Sequence, residues 1–384
     1  KLDPRITYQR TGPASFVNEF GKVVLVGDNT PRFDHDPTTR ESKGLLIEEA
    51  RTNFMKYSDE FAIDNGQTGG NWDAIGGESN YTRVSDTTET KDPTGITNHA
   101  SKLTFVSGNA TLRGYWYSGA VDGAVTKTYS VYLKRATSNT TTIKIDIGDQ
   151  GTTTYTITDE WKRYSVTTSS AGNGNFIDMR IETGASTPYY AWGAQIEAGA
   201  FATSYIPTSS AAGTRGMENV TITDDEFTDF YNPLESTAVC EFDTSNWITY
   251  NNNKYERIFS FGNHNTETDT FEVFKQNSSN SAVRYRVRTG NSNVMGAENY
   301  SYGTNTTPKV AFALKLNDTA VTVDGGTPAG TADTSIPMPS ITKLSFGNSG
   351  LENNGGVHTL TGHIRRFMYY PVKLSDSQVV TLTS

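Results

Sequence analysis

The sequence predicts an all-β protein: two antiparallel β-sandwiches in tandem, preceded by an irregular N-terminal segment and closed by one short C-terminal helix. Three observations carry that expectation. The 384 residues are only 35% hydrophobic and 20% charged, yet 11% aromatic with 35 Gly. Polar β-formers, aromatics and glycine suit sheets with one wet face, joined by many turns. Short alternating runs recur about every 10–15 residues between turn signals, with no helical period. The one good helix start lies near the end, at Ser375-Asp376-Ser377-Gln378, a capping box with Ser375 as N-cap and Gln378 as N3.

Residues 1–52 come first. Val23-Val24-Leu25-Val26 is a short β run closed by the turn Gly27-Asp28-Asn29, and Leu45-Leu46-Ile47 is a second. Between them, Pro31-Arg32-Phe33-Asp34-His35-Asp36-Pro37 reads as a loop by its prolines. The segment is too short and too polar to own a core, so it is expected to lie against the next domain or a neighbouring subunit. It is read as an attachment or oligomerisation segment.

Residues 53–208 form the first sandwich. Strands are expected at 102–106, 129–133, 142–147, 155–158, 163–166 and 176–181. Ile143, Ile145 and Ile147 share one face of theirs, and Lys144 and Asp146 the other. Residues 209–216 (Ser-Ser-Ala-Ala-Gly-Thr-Arg-Gly) read as a small-residue linker. Residues 217–384 form the second sandwich. Val283, Tyr285 and Val287 alternate with Arg284, Arg286 and Arg288, and Val310, Phe312, Leu314 and Leu316 form another inward face. Asn317-Asp318 reads as the next hairpin turn. A last strand runs from His363 to Tyr370, stops at Pro371, and closes the second sandwich through the face of Phe367.

Charge narrows the partners. The net charge is −9; residues 1–52 balance eight cations with eight anions, and the acidity is shared by the two larger parts. No basic face marks a nucleic-acid partner. No apolar run approaches the ~20 residues of a membrane span, and no signal peptide is visible. The chain opens on Lys1 rather than Met, as a fragment or processed form does. The single cysteine, Cys240, follows Ala238-Val239 and reads as a buried hydrophobe. Without disulfides, the expected folding compartment is a reducing cytosol.

No nucleophile elbow, phosphate loop, metalloprotease helix or dinucleotide fingerprint occurs, and the five histidines are scattered; His363 reads as structural. The expectation is a non-enzyme. Acidic pairs such as Glu48-Glu49 and Asp159-Glu160 read as solvated turns or salt-bridge partners. Asp34-His35-Asp36, between prolines, reads as a turn.

Aromatics on polar strands point to sugar. A flat ring stacks on the C–H face of a hexose while nearby polar groups bond its hydroxyls. Trp72, Tyr115, Tyr117 and Trp247 are the candidates, whereas Trp116, Trp161 and Trp192 are assigned to the core. Arg284, Arg286 and Arg288 lie about 7 Å apart along one strand face. They either clamp an anionic sugar or pair with carboxylates of a neighbouring strand.

Three sets of motifs carry a family resemblance. Leu2-Asp3-Pro4-Arg5-Ile6-Thr7, the 31–37 stretch and Lys43 to Asn53, running on through Tyr57-Ser58, resemble the opening of tailed-bacteriophage structural proteins. Ala191-Trp192-Gly193-Ala194-Gln195-Ile196-Glu197-Ala198-Gly199, with Ala202 to Thr208, resembles the closing signature of their carbohydrate-binding-module-like jelly roll. Gly362 to Pro371, followed by Leu374-Ser375, resembles the end of a concanavalin A/laminin G-like domain. The resemblance implies a virion fibre or spike with two sandwich modules, a homotrimer for choice, binding host-surface glycans and other virion proteins. A capsid or tail decoration protein and a polysaccharide depolymerase are the alternatives. It also implies a possible structural Ca²⁺ at Glu60, Gln195 and Glu197, with Gln195 standing where an acid is usual. Within the closing motif, Trp192 and Ile196 have same-face spacing and read as core.

Overall fold

The computed structural model describes residues 1–61, 72–75, 81–105, 110–117, 126–147, 151–169, 176–183, 187–243, 255–263, 268–276, 282–295, 300–303, 305–330, 336–348 and 359–384. For 72–75, 81, 105, 110–117, 146, 151, 176–183, 255, 276 and 300 the backbone alone is described. Within these residues the chain is all-β, antiparallel, with two helices.

The first sandwich stacks two five-stranded sheets. One runs in the order Gly151–Ile157, Thr141–Ile147, Phe176–Thr183, Ala110–Tyr117, Trp72–Ile75. The other runs Lys162–Thr168, Lys127–Arg135, Tyr189–Ala198, Ser101–Phe105, Tyr81–Val84. Strand alternation fills the space between them: Tyr129, Val131 and Leu133 meet Ile143, Ile145 and Ile147, all buried.

The second sandwich is built from two distant parts of the chain. Its larger sheet begins at the edge with Thr7–Gln9, which pairs with Asn219–Thr223. Its other sheet ends with Ser42–Ile47 and Phe33–His35, beyond Gly362–Tyr370. Residues 1–52 are thus not irregular: they supply edge strands to both sheets, and Leu45 and Ile47 enter the second core. The proline-flanked stretch holds a strand, because Asp34 accepts from the Val17 N–H at 2.7 Å and from His363 Nε2 at 2.9 Å. Asp36 makes the expected turn, accepting from the N–H groups of Thr38 and Thr39.

The first sandwich is therefore an insertion within the second. Its two connections run side by side: Arg51–Asn53 pairs antiparallel with Gly213–Arg215. Residues 209–216, a linker by composition, contain a paired strand and the fully buried Arg215.

A knot of charge lies at this junction. Arg10, Arg32 and Glu48 come from the first segment, Glu197 from the inserted sandwich, and Arg215 and Glu218 from the return; all six are buried. Arg32 bonds Glu218 and sits 2.8 Å from Glu48, Arg215 is 3.1 Å from Glu48, and Arg10 is 3.5 Å from Glu218. Three guanidiniums balance three carboxylates. Such groups leave water only when paired and bonded. Glu48 is thus a salt-bridge partner, as is Glu49, which pairs with Arg51.

Two β-bulges revise the reading of faces. Tyr129 lies opposite Ile196 and Ser130 opposite Gln195, but Tyr132 lies opposite Trp192. Gly193, at φ +63°, takes up the extra residue. Ile196 then faces the sandwich interior, while Trp192 faces outward onto Tyr132, Tyr205 and Val23. Trp192 is buried as expected, but under the N-terminal segment, and it does not share a face with Ile196. A second bulge at Glu241/Phe242 brings Ile364 to the same core as Phe367 and Tyr369.

Smaller differences are local. The hairpin turn falls one residue early, at Leu316-Asn317, with Asn317 at φ 59° and Leu316 exposed rather than inward. A five-residue helix, Asp224–Thr228, is additional to the expected elements and follows a Thr223-to-Glu226 capping pattern; the Thr223 side chain makes no cap bond, and the helix is held by buried Phe227. The C-terminal helix Asp376–Thr383 carries both halves of the capping box. Cys240 is fully buried, and burial pushes its thiol up. No helix is long and apolar enough to cross a membrane among the described residues.

Gly44 marks a close approach of the first segment to the strand Gly362–Tyr370. Its φ is +98°, and a Cβ there would lie 2.3 Å from the Ile364 carbonyl oxygen. Gly44→Ala is expected to cost about 1–3 kcal/mol, read as a lower urea midpoint. Gly27→Ala, with nothing within 4 Å of the added carbon, should leave the midpoint nearly unchanged. Equal midpoints for the two variants would refute the close approach.

Candidate functional site

A large concavity lies on the outer face of the inserted sandwich. Strand Lys127–Arg135 points Tyr129, Val131 and Leu133 inward, so Tyr132 and Lys134 point out. Register sets Tyr132 opposite Arg163. The hairpin of Ala14–Val17 and Val23–Val26 lies over this face, with the loop of Pro37 to Arg40 beside it and the loop of Glu89 to Gly95 opposite. Together they enclose a groove of 840 Å³. The walls are tied: Val23 N–H donates to the Pro93 carbonyl at 3.0 Å, and the Lys22 side chain crosses bare Gly95.

Trp161 forms part of the groove's lining. It is half-buried, and its Nε1–H donates to the Lys91 carbonyl at 2.7 Å. Its ring lies against Tyr190, 6.5 Å between centroids. The Tyr190 hydroxyl donates to Glu89 at 3.0 Å, and burial, then Glu89, push it up to about 12. Lys102 bonds both Glu89 oxygens and, with Tyr190, holds that carboxyl below its ordinary value. Asp92 braces the loop, accepting from Thr94 N and Ile96 N at 2.9 Å and meeting His99 Nδ1 at 2.8 Å. Arg163 lies over the Tyr132 ring, donating to Ser130 Oγ at 2.8 Å and to the Thr203 carbonyl. Lys134 donates to Thr90 Oγ1 at 2.9 Å. The result is an aromatic plate held at a fixed tilt, ringed by polar groups. That is a surface on which a sugar ring can stack.

The expectation that Trp161 is core holds in part: the ring is partly buried and packs against the Val23, Trp192 and Tyr205 cluster, while also lining the groove. The signal for its incomplete burial was present in the sequence: Asp159-Glu160-Trp161-Lys162-Arg163 sets the ring among four charges, poor surroundings for a core residue.

The sequence-derived candidates lie elsewhere. Trp72 stands opposite Gly114, Tyr115 opposite Asp178 and Tyr117 opposite Phe176, in backbone register only; Trp247 lies outside the described residues. The arginine stripe is on strand Ala282–Thr289, and its middle member faces a carboxylate of the neighbouring strand. Glu272 is fully buried between Arg286 and Arg257, the latter at 2.6 Å. Burial pushes the Glu272 carboxyl up, but Arg257 and Arg286 outweigh it and hold it below the ordinary value. Arg288 bonds Asn291 across the adjoining turn. The stripe follows the ion-pairing alternative at its centre.

Of the three calcium candidates, Gln195 and Glu197 meet each other, and no hydrogen bond joins either to Glu60 among the described residues. Glu60 is exposed, whereas Gln195 and Glu197 are fully buried. Gln195 Nε2 donates to Glu197 at 2.7 Å, and Thr203 donates to both Glu197 oxygens. That carboxylate is filled by donors, unlike an oxygen cage for a hard cation. Among the described residues, no three His, Cys, Asp or Glu side chains converge as a metal site requires.

Fold and groove together define a two-sandwich protein, one module inserted in the other, with a groove on the insert partly lined by aromatic rings. No family model and no curated protein matches the chain. Solved structures with some likeness include the Ruminococcus gnavus IT-sialidase CBM40, 17% identical over 40% of this chain and 84% of that one, TM-score 0.30. Mouse laminin alpha1 chain, domains LG4-5, is 12% identical over 68% and 87%, TM-score 0.29. Trypanosoma rangeli sialidase with the inhibitor DANA is 10% identical over 77% and 54%, TM-score 0.31. At these scores the likeness supports no argument about ligand or activity.

Proposed function

We propose that this chain is a non-catalytic glycan-binding protein of a virion fibre or spike, working as a homotrimer on the outside of the particle. The virion setting rests on the motifs at 2–7, 31–37 and 43–53. The glycan reading rests on one observation: a partly buried Trp161 ring, fixed through its indole N–H, lining a groove with polar groups around it. A ring held this firmly loses little freedom when a sugar stacks on it.

The test is a glycan array probed with the whole protein and with Trp161→Ala, followed by calorimetry on each hit. Trp161→Ala is expected to weaken binding about tenfold or more, equivalent to about 1.4 kcal/mol, with the melting curve showing that the variant is still folded at the assay temperature. Hits that Trp161→Ala binds equally well would remove the groove as the site. An array without hits for the whole protein would remove the glycan reading.

A further inference from the structure

We infer that the glycan taken by this groove is anionic, and that its acidic groups bridge the N-terminal segment and the inserted sandwich. This rests on the groove being the glycan site.

The charge of the groove opposes that of the chain. The protein carries −9, yet six cations line the groove (Lys22, Arg40, Lys91, Lys134, Lys162 and Arg163) against three carboxylates, Glu89, Asp92 and Glu160. Two of the three carboxylates are already engaged. Glu89 is held by Lys102, which lies outside the lining, and by Tyr190. Asp92 is occupied by Thr94, Ile96 and His99. The cations are mostly uncommitted. Lys22, Arg40, Lys91 and Lys162 are exposed and have no ion-pair partner among the described residues, and Lys134 reaches only a hydroxyl. Arg163 is bound to neutral oxygens.

Like charges converging on a concavity repel one another. In a groove with low-dielectric walls their field is focused on whatever enters. A carboxylated, sulfated or phosphorylated sugar relieves that repulsion while its C–H face lies on Trp161. Lys22 and Arg40 belong to the N-terminal segment, whereas Lys91, Lys134 and Lys162 belong to the sandwich. An anionic chain long enough to reach both walls therefore ties them together, and binding favours the docked segment by mass action.

The experiment uses the whole protein with three probes: oligogalacturonate, phosphorylated mannan and neutral dextran oligomers. Calorimetry is run at low and high salt. Two exposed pairs are replaced, Lys22→Ala with Arg40→Ala on one wall and Lys91→Ala with Lys162→Ala on the other; melting temperatures confirm the fold. At least one acidic probe is expected to bind, about tenfold more weakly at high salt and about tenfold more weakly in each double variant. Galacturonate against mannan tells a carboxylate from a phosphate source. Failure of both acidic probes to bind overturns the inference. So does binding of an acidic probe that neither double variant weakens, or binding of neutral dextran as tight as that of the acidic probes. In that last case a loss of dextran binding in Trp161→Ala leaves the glycan reading standing. Acidic binding lost in the lysine variants but kept in Trp161→Ala sinks the stacking site and leaves the anion site standing.

Discussion

Arg32→Met is expected to destabilise the protein by about 3–5 kcal/mol, a large share of the ~5–15 kcal/mol that holds an ordinary domain. Arg32 is fully buried and meets Glu48, Glu218, the Ser15 carbonyl and Ser204 Oγ at once. Methionine fills much of the space but leaves two carboxylates facing Arg10 and Arg215 alone. The measurement is a urea midpoint, and a loss below about 1 kcal/mol would sink the idea that the knot holds the junction. Acid supplies a second reading. Burial alone would raise the Glu48 carboxyl, but Arg215, Arg32 and bonds from Ser204 outweigh it and hold it below the ordinary value. A depressed carboxyl contributes stability above its unfolded value and loses it as pH falls through its folded one. Wild type therefore loses this contribution on acidification, whereas the variant has lost part of it already. The gap between the two should stay level from about pH 7 to about pH 5 and narrow only as pH falls below the ~4.3 of an unfolded glutamate.

Trp192→Ala should cost about 3–5 kcal/mol and should also free the N-terminal hairpin. The ring is fully buried, 4.6 Å from Tyr205 and 5.5 Å from Tyr132 between centroids, with Val23 of the hairpin packed on the same cluster. Losing it opens a void beneath one wall of the groove. Limited proteolysis near Asn18 to Lys22 is expected to speed up in the variant, together with a drop in urea midpoint. If cleavage stays slow and the midpoint holds, the hairpin docks by other contacts.

Much of the architecture was legible because it is local. Alternation at Ile143, Ile145 and Ile147, the capping box at Ser375 and the inability of residues 1–52 to own a core all follow from neighbours in sequence. The pairing partners of those residues were not legible. Tyr8 pairs with Val220 and Leu46 with His363, and nothing local encodes which sheet edge a short strand joins. The bulge at Gly193 is similar: a glycine in a strand signals one, but only the facing strand shows which residues change face. For the groove, Trp161 was present in the sequence among its four charges, while the opposing wall comes from the hairpin of another segment. A site with walls from two segments has no single motif.

The inserted order also sets a timetable for synthesis. The inserted sandwich holds its own core within one stretch of chain and can close soon after that stretch emerges. Strand Ser42–Ile47 cannot, because its partner Gly362–Tyr370 is made near the end. At ~5–20 residues per second, Leu45, Leu46 and Ile47 wait for tens of seconds as an unpaired apolar edge. During that interval one edge of an apolar strand is open to mispairing. Chaperone demand during expression should therefore track translation speed across the second half of the chain.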